Sequence, residues 1–169
     1  MHIRRLTPED APVFQALRLA ALKEAPSAFA SSYEEEKDFA LAVIEGRLSA
    51  REDRGAFGAF HDDELVGIVV LGRIDQKKVS HKAFIWSMYV APAARGRGAG
   101  RALLDAAVAL ARAVPGVLQV NVGVTADNAI AIRLYESAGF KRFGLEPNAL
   151  LVAGKLHEEL HMALPLAEA

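Results

Sequence analysis

The strongest constraint on the fold is the stretch from Ile85 to Leu104. It begins Ile85-Trp86-Ser87-Met88-Tyr89-Val90, aromatic and β-branched, and stops at Pro92, so it predicts a strand with a defined end. Arg95-Gly96-Arg97-Gly98-Ala99-Gly100-Arg101 follows, and Ala102-Leu103-Leu104 opens an apolar helix. A strand that runs through a glycine- and arginine-rich turn into a helix is suited to hold an anion. The first N–H groups of a helix lack intrahelical partners, the helix dipole favours negative charge there, and glycine leaves room for close approach. Two familiar phosphate loops fail letter by letter. A triphosphate loop needs Gly-Lys-Ser/Thr, and no Lys-Ser/Thr follows these glycines. A dinucleotide loop needs G-x-G-x-x-G, but the sixth position is Arg101 counted from Gly96 and Leu103 counted from Gly98.

The pattern that fits is R-x-x-G-x-G, met by Arg95, Gly98 and Gly100. Downstream, Asn128-Ala-Ile-Ala-Ile-Arg-Leu-Tyr135-Glu-Ser-Ala-Gly139-Phe140 places an Asn and a Tyr two helical turns apart, closed by Gly-Phe. With both stretches in this order, the sequence resembles the GNAT superfamily of N-acetyltransferases over roughly residues 1–165.

Size and charge agree with a chain of that kind. A length of 169 residues predicts one domain, spanning 1–169, and 52% hydrophobic residues suffice for a sizeable core. A net charge of −1 with no long basic run provides no electrostatic footprint for nucleic acid. With no cysteine there is no disulfide, thiolate nucleophile or thiolate metal site. No continuous apolar segment marks a signal peptide or a membrane span, so the expectation is a cytoplasmic protein without membrane partners.

Taken in order, Met1 to Leu6 reads as a first strand, and Thr7-Pro8-Glu9-Asp10 as a helix start whose apolar face carries Leu17, Ala20 and Ala21. Ser32 and Glu35 form a capping-box pattern for a second helix, with Phe39, Val43 and Gly46 on one face. Gly55–His61 and Leu65–Arg73 read as a hairpin around Asp62-Asp63-Glu64, and Lys82–Val90 as the next strand. The third helix carries Leu103, Ala107, Leu110 and Val114 on its apolar stripe and ends at Pro115-Gly116. A strand over Val117–Val124 follows, then a helix over Asn128–Ala138 capped by Gly139, then strands over Phe140–Phe143 and Gly154–Leu164. The result is an α/β (α+β) domain in the order β-α-α-β-β-β-α-β-α-β-β. Its mixed, mostly antiparallel sheet of about seven strands is flanked by four helices, and this is also the order of the GNAT family.

The resemblance implies acetyl-coenzyme A as co-substrate and a primary amine as acceptor, attacked directly in a ternary complex. Backbone N–H groups from Gly96 through Arg97, Gly98, Ala99 and Gly100 to Arg101 would hold the pyrophosphate, with Arg95, Arg97 or Arg101 adding charge. The backbone of Met88, Tyr89 and Val90 would pair with the pantetheine arm where the strand splays from its parallel neighbour, and Asn128 would bond the same arm. Asn128 also reads as a plain N-cap. Tyr135, seven residues on and so on the same helix face, would protonate the leaving thiolate. Many relatives carry a glutamate on the strand before the loop, but Ile85-Trp86-Ser87 has no carboxylate. Glu34, Glu35, His81 or a water on Ser87 remain as alternatives for the base. Tyr33, Glu34 and Ser87 are expected on the acceptor side, and a homodimer is expected by analogy. No metal is expected.

Two rival readings remain. One is a coenzyme A-binding module without transferase activity. The other is a zinc hydrolase, because His157-Glu158-Glu159-Leu160-His161 matches H-E-x-x-H. On a helix the two imidazoles would share a face, but this segment alternates like a strand, and only eight residues follow His161 to supply a third ligand.

Overall fold

A computed structural model describes residues 1–166. The elements are β1 (His2–Arg5), α1 (Ala11–Glu24), α2 (Tyr33–Glu36), α3 (Leu41–Leu48), β2 (Gly55–His61), β3 (Glu64–Arg73), β4 (Lys82–Val90), α4 (Ala99–Ala113), β5 (Gln119–Thr125), α5 (Ala129–Ser137), β6 (Lys141–Val152) and β7 (Lys155–Pro165). The strands form one sheet in the order β1-β2-β3-β4-β5-β7-β6. All neighbours are antiparallel except β4 and β5, which are joined by the α4 crossover. The expected fold class and strand count are those observed.

Strand alternation sorts the apolar residues into two clusters. Val69 of β3 joins Val120, Val122 and Val124 of β5, Leu160 and Met162 of β7, Leu103, Leu104 and Ala107 of α4, and Tyr135 of α5. Its neighbour Ile68 points the other way, to Leu6, Phe14 and Leu22 and to Ile44 and Leu48 of α3. One sheet face is therefore covered by α4 and α5 and the other by α1 and α3.

The predicted second helix is divided, so five helices stand where four were expected. The capping box is present, with Glu35 N–H donating to Ser32 Oγ at 3.3 Å and Ser32 N–H to Glu35 Oε2 at 2.7 Å. It starts only the single turn α2. Glu36 at the end of that turn is buried, tied to Arg18 on α1 at 3.0 Å, and the chain leaves the helix before restarting at Leu41. The inward residues of α3 are Ile44 and Leu48, while Phe39 and Val43 are exposed. The strand expected over Phe140–Phe143 extends to Val152, because it forms a long hairpin with β7 around Ala153-Gly154, both at positive φ. No helix among the described residues is long and apolar enough to cross a membrane.

Candidate active site

The site is built on a defect in the sheet. Parallel β4 and β5 pair only through Lys82, Ala83 and Phe84 opposite Gln119, Val120 and Asn121, although β4 continues to Val90 and β5 to Thr125. Beyond Phe84 the strands separate. A bulge in β4 marks the change: Val70 pairs with Trp86 but Ile68 with Tyr89, and Ser87 between them has φ +55°. Ala91 N–H still donates to Val66 O on β3 at 2.8 Å. By strand alternation, the N–H and C=O groups of Val90 and Met88 turn away from β3 toward the gap. The Tyr89 side chain is buried against Phe29, and burial raises its hydroxyl pKa.

At the end of the gap lies the glycine loop. Gly96 and Gly98 have φ of +74° and +82°, and a Cβ on either would meet nothing within 4 Å, so the conformation selects glycine and the space above it is open. Gly98 is the N-cap of α4, and the first bond back to it is Ala102 N–H to Gly98 O at 3.1 Å. The N–H groups of Ala99, Gly100 and Arg101 thus have no intrahelical partner. The three arginines differ. Arg95 turns back to Glu24 and to Val90 O, while Arg101 pairs with Asp105 at 2.8 Å. Arg97 lies 3.5 Å from His61 Nε2 and is the loop arginine without a carboxylate partner among the described residues.

The gap opens into a cavity of about 590 Å³ that also takes in Asn128, Ala131 and Tyr135 of the α5 segment. Asn128 Oδ1 accepts from Ala131 N–H at 3.1 Å, so the N-cap reading holds while the side chain borders the cavity. Tyr135 is 3% exposed, sits edge-on to Phe140, and burial drives its hydroxyl pKa far above the ordinary tyrosine value.

On the α1 side the walls are Ala28–Ser31 and the buried Arg18–Glu36 pair. Burial by itself would raise the Glu36 carboxyl. The hydrogen bond and charge of Arg18, with Arg47 nearby, outweigh it and leave Glu36 below the usual range. The floor is aromatic: Phe84 and Trp86 stack at 5.9 Å, and Trp86 lies over Gly72. Phe143, Glu159 and His161 close the far side.

Of the residues expected on the acceptor side, Ser87 lines the cavity. Tyr33 and Glu34 are not among its lining residues. Lys23 covers the Tyr33 ring, and Glu34 pairs with Lys37 on the surface. Glu35 is spent on its capping box, and neither it nor His81 reaches the cavity. The H-E-x-x-H stretch lies on strand β7, where four residues span about 13 Å, so His157 and His161 do not converge. In the sequence, Glu159 and His161 stand out only as part of that zinc pattern. Their place in the cavity depends on β7 lying beside β5, which local spacing does not reveal.

Comparison with known proteins agrees with this geometry. A model of the acetyltransferase (GNAT) family matches residues 17–140. An uncharacterised protein of Mycobacterium leprae is 36% identical over 97 residues, which make up 57% of this chain and 26% of that protein's length. A GNAT-family acetyltransferase from Streptococcus pneumoniae superposes with a TM-score of 0.88 at 20% identity, covering 98% of this chain and 99% of that one. A ribosomal-protein-alanine N-acetyltransferase from Brucella melitensis gives 0.81 at 26% identity, covering 98% and 100%. A phosphinothricin acetyltransferase from Sinorhizobium meliloti in complex with acetyl-coenzyme A gives 0.83 at 19% identity, covering 98% and 88%. With a family match over most of its length, an open β4–β5 gap and a left-handed glycine loop at the end of that gap, the chain belongs to the GNAT acetyltransferase family.

Proposed function

We propose that the protein transfers an acetyl group from acetyl-coenzyme A to a primary amine by direct attack in a ternary complex. The observation that carries this reading is that β4 separates from β5 beside a cavity lined by Met88, Asn128 and Tyr135, and that the same strand then runs on into the glycine loop. The residues fit the donor. The free N–H groups of Ala99, Gly100 and Arg101 suit a pyrophosphate, aided by the dipole of α4 and by Arg97. The Met88 backbone, the Val90 N–H and the Asn128 amide suit the pantetheine arm, while Val90 O is held by Arg95 Nε. When bound, acetyl-coenzyme A supplies an acyl carbonyl and a thiol leaving group.

The chain's own residues then orient and move protons. The Met88–Val90 backbone and the α5 N-terminus orient the thioester, while the α1-side walls and the Trp86 floor position the acceptor. Tyr135 stays protonated across the working pH range, because burial disfavours its phenolate. It donates a hydrogen bond to the leaving sulfur and completes the transfer only as negative charge develops there. The acceptor is a primary amine on a small molecule, a peptide or a protein. The Brucella melitensis enzyme, named for a ribosomal-protein alanine, supports including a peptide α-amine in the screen.

The test is a thermal shift with acetyl-coenzyme A followed by thiol release against a panel of amines. A ligand at 100 times its dissociation constant adds about 2.7 kcal/mol of stability. A shift abolished by Gly98→Val, together with amine-dependent thiol release, supports the reading. A shift with no turnover on any amine leaves a coenzyme A-binding module instead, and the absence of any shift removes both.

A further inference from the structure

The β4 segment Ile85-Trp86-Ser87 supplies no carboxylate to take a proton from the acceptor, but the cavity does. Two carboxylates line it among the described residues, Glu36 and Glu159. Glu36 is 3% exposed and tied by two bonds to Arg18, at 3.0 and 3.2 Å, with Arg47 at 3.7 Å. Glu159 has no side-chain hydrogen bond among the described residues, and the imidazole of His161 lies beside it, with Nδ1 3.9 Å from Oε1.

Strand parity places Glu159 on the acceptor side. Val122, Val124, Leu160 and Met162 point into the α4–α5 core, so Gly123, Glu159 and His161 point to the opposite face, that of α1 and α3. Glu159 is paired with Thr125, yet its carboxylate leans over Gly123: a Cβ built there would lie 2.3 Å from Oε1 and 2.6 Å from Cδ. Gly123 lies within the part of β5 that has separated from β4. The carboxylate from β7 thus crosses over β5 toward the gap only because position 123 carries no side chain. His161 lies behind it, with Nε2 3.1 Å from Glu146 Oε2 on β6.

We propose that Glu159, reaching over Gly123, is the general base of the transfer, replacing a carboxylate that β4 lacks; this rests on the acetyltransferase reading above. Glu159 takes one proton from the acceptor ammonium, and the neutral nitrogen forms the C–N bond to the acyl carbon as the C–S bond breaks. The Tyr135 proton passes to sulfur, and the second N–H proton, lost as the amide forms, restores Tyr135 through water. The proton on Glu159 leaves to solvent past His161. The titratable and charged groups around Glu159 are His161 on β7, Glu146 on β6, and Arg18, Glu36 and Arg47 across the cavity.

The experiment compares wild type, Glu159→Gln, Glu159→Asp and Gly123→Ala, using the fastest acceptor among spermidine, lysine methyl ester and an alanyl peptide. It records calorimetric affinity for acetyl-coenzyme A, then kcat and KM against pH. In Glu159→Gln, kcat falls about 100-fold and the acidic limb of its pH profile disappears, while the affinity is unchanged. Glu159→Asp recovers part of the rate. Gly123→Ala, at an ordinary strand φ, displaces the carboxylate and lowers kcat about 10-fold with the fold retained. A wild-type kcat and pH profile in Glu159→Gln overturns the assignment, and so does a change confined to KM, which would make Glu159 an ammonium anchor. Wild-type protein that binds acetyl-coenzyme A but acetylates none of the three amines overturns the assignment together with the reading beneath it.

Discussion

Arg95, at the start of the glycine loop, is bound to Glu24 in the last turn of α1, with Nη2 to Oε2 at 2.8 Å and Nη1 to Oε1 at 3.3 Å. Its Nε donates to Val90 O at 2.9 Å, and the guanidinium lies 5.7 Å from the centre of the Tyr89 ring. One arginine therefore joins the end of β4, the loop and α1. Both partners of the ion pair are substantially exposed, so the pair itself contributes at most about 1 kcal/mol. Its importance is the position in which it holds the loop.

This geometry separates the roles of Arg95 and Arg97, both of which the loop sequence offers as charges for a phosphate. Arg97→Ala is expected to weaken acetyl-coenzyme A binding about 10-fold and to reduce its salt dependence, as loss of a direct phosphate charge should. Glu24→Gln is expected to cost only about 2- to 3-fold, through a less fixed loop. Calorimetry at two salt concentrations tests both. Equal losses would mean that Arg95 leaves Glu24 for the phosphate when the donor binds.

Tyr135→Phe removes one hydroxyl from a buried ring that packs against Phe140. The expectation is a kcat about 100-fold lower, with acetyl-coenzyme A affinity unchanged. The raised pKa keeps the proton on to higher pH, so any alkaline limb due to Tyr135 lies above the ordinary tyrosine value of about 10. Stopped-flow thiol release from pH 6 to 9.5 should show no fall attributable to it.

Trp86 is the sole tryptophan and forms the cavity floor, half exposed. A Cβ on Gly72 would lie 1.9 Å from its ring, so Gly72→Ala must lift the indole. We expect a shifted emission maximum, acceptor KM raised about 10-fold and unchanged acetyl-coenzyme A affinity, because the donor side lies beyond the β4 bulge. Fluorescence and steady-state kinetics on the same sample test this. An unchanged KM would move the acceptor off the aromatic floor.

Asp10 links the first strand to the first helix. It accepts from Arg4 at 2.7 and 2.8 Å and from Thr7 N–H at 2.8 Å, and the Arg4 hydrogen bond, chiefly, lowers its pKa to about 2. A depressed carboxylate pKa stabilises the fold above the unfolded value of about 3.9 and loses that contribution as pH falls toward 2. With Arg4 partly exposed, the contribution is about 1–2 kcal/mol. Asp10→Asn should lower stability by that amount at pH 7 and by about a third of it at pH 2.5, where the native carboxylate is still mostly ionised, as read from urea titrations at both pH values.

Several features of this chain are settled within a few neighbouring residues, and these are legible without the fold. The glycine loop follows from Gly96 and Gly98 beside a strand and a helix start. The caps at Ser32 and Asn128 are local hydrogen bonds, and the valines of β5 alternate because one face is buried. The strand reading of the H-E-x-x-H stretch is local in the same way, since alternation along β7 already separates the two histidines.

Tertiary structure decided whatever depends on residues far apart in the chain. Arg95 meets Glu24 across 71 positions, and Glu36 meets Arg18 across 18, which ends α2 after one turn. Glu159 reaches over Gly123 because β7 lies between β5 and β6 in the sheet. Local patterns encode periodicity and capping, because those forces act over a few bonds. Which carboxylate faces a cavity away from any arginine depends on how strands order themselves to bury both faces of a sheet, and no short window of sequence contains that information.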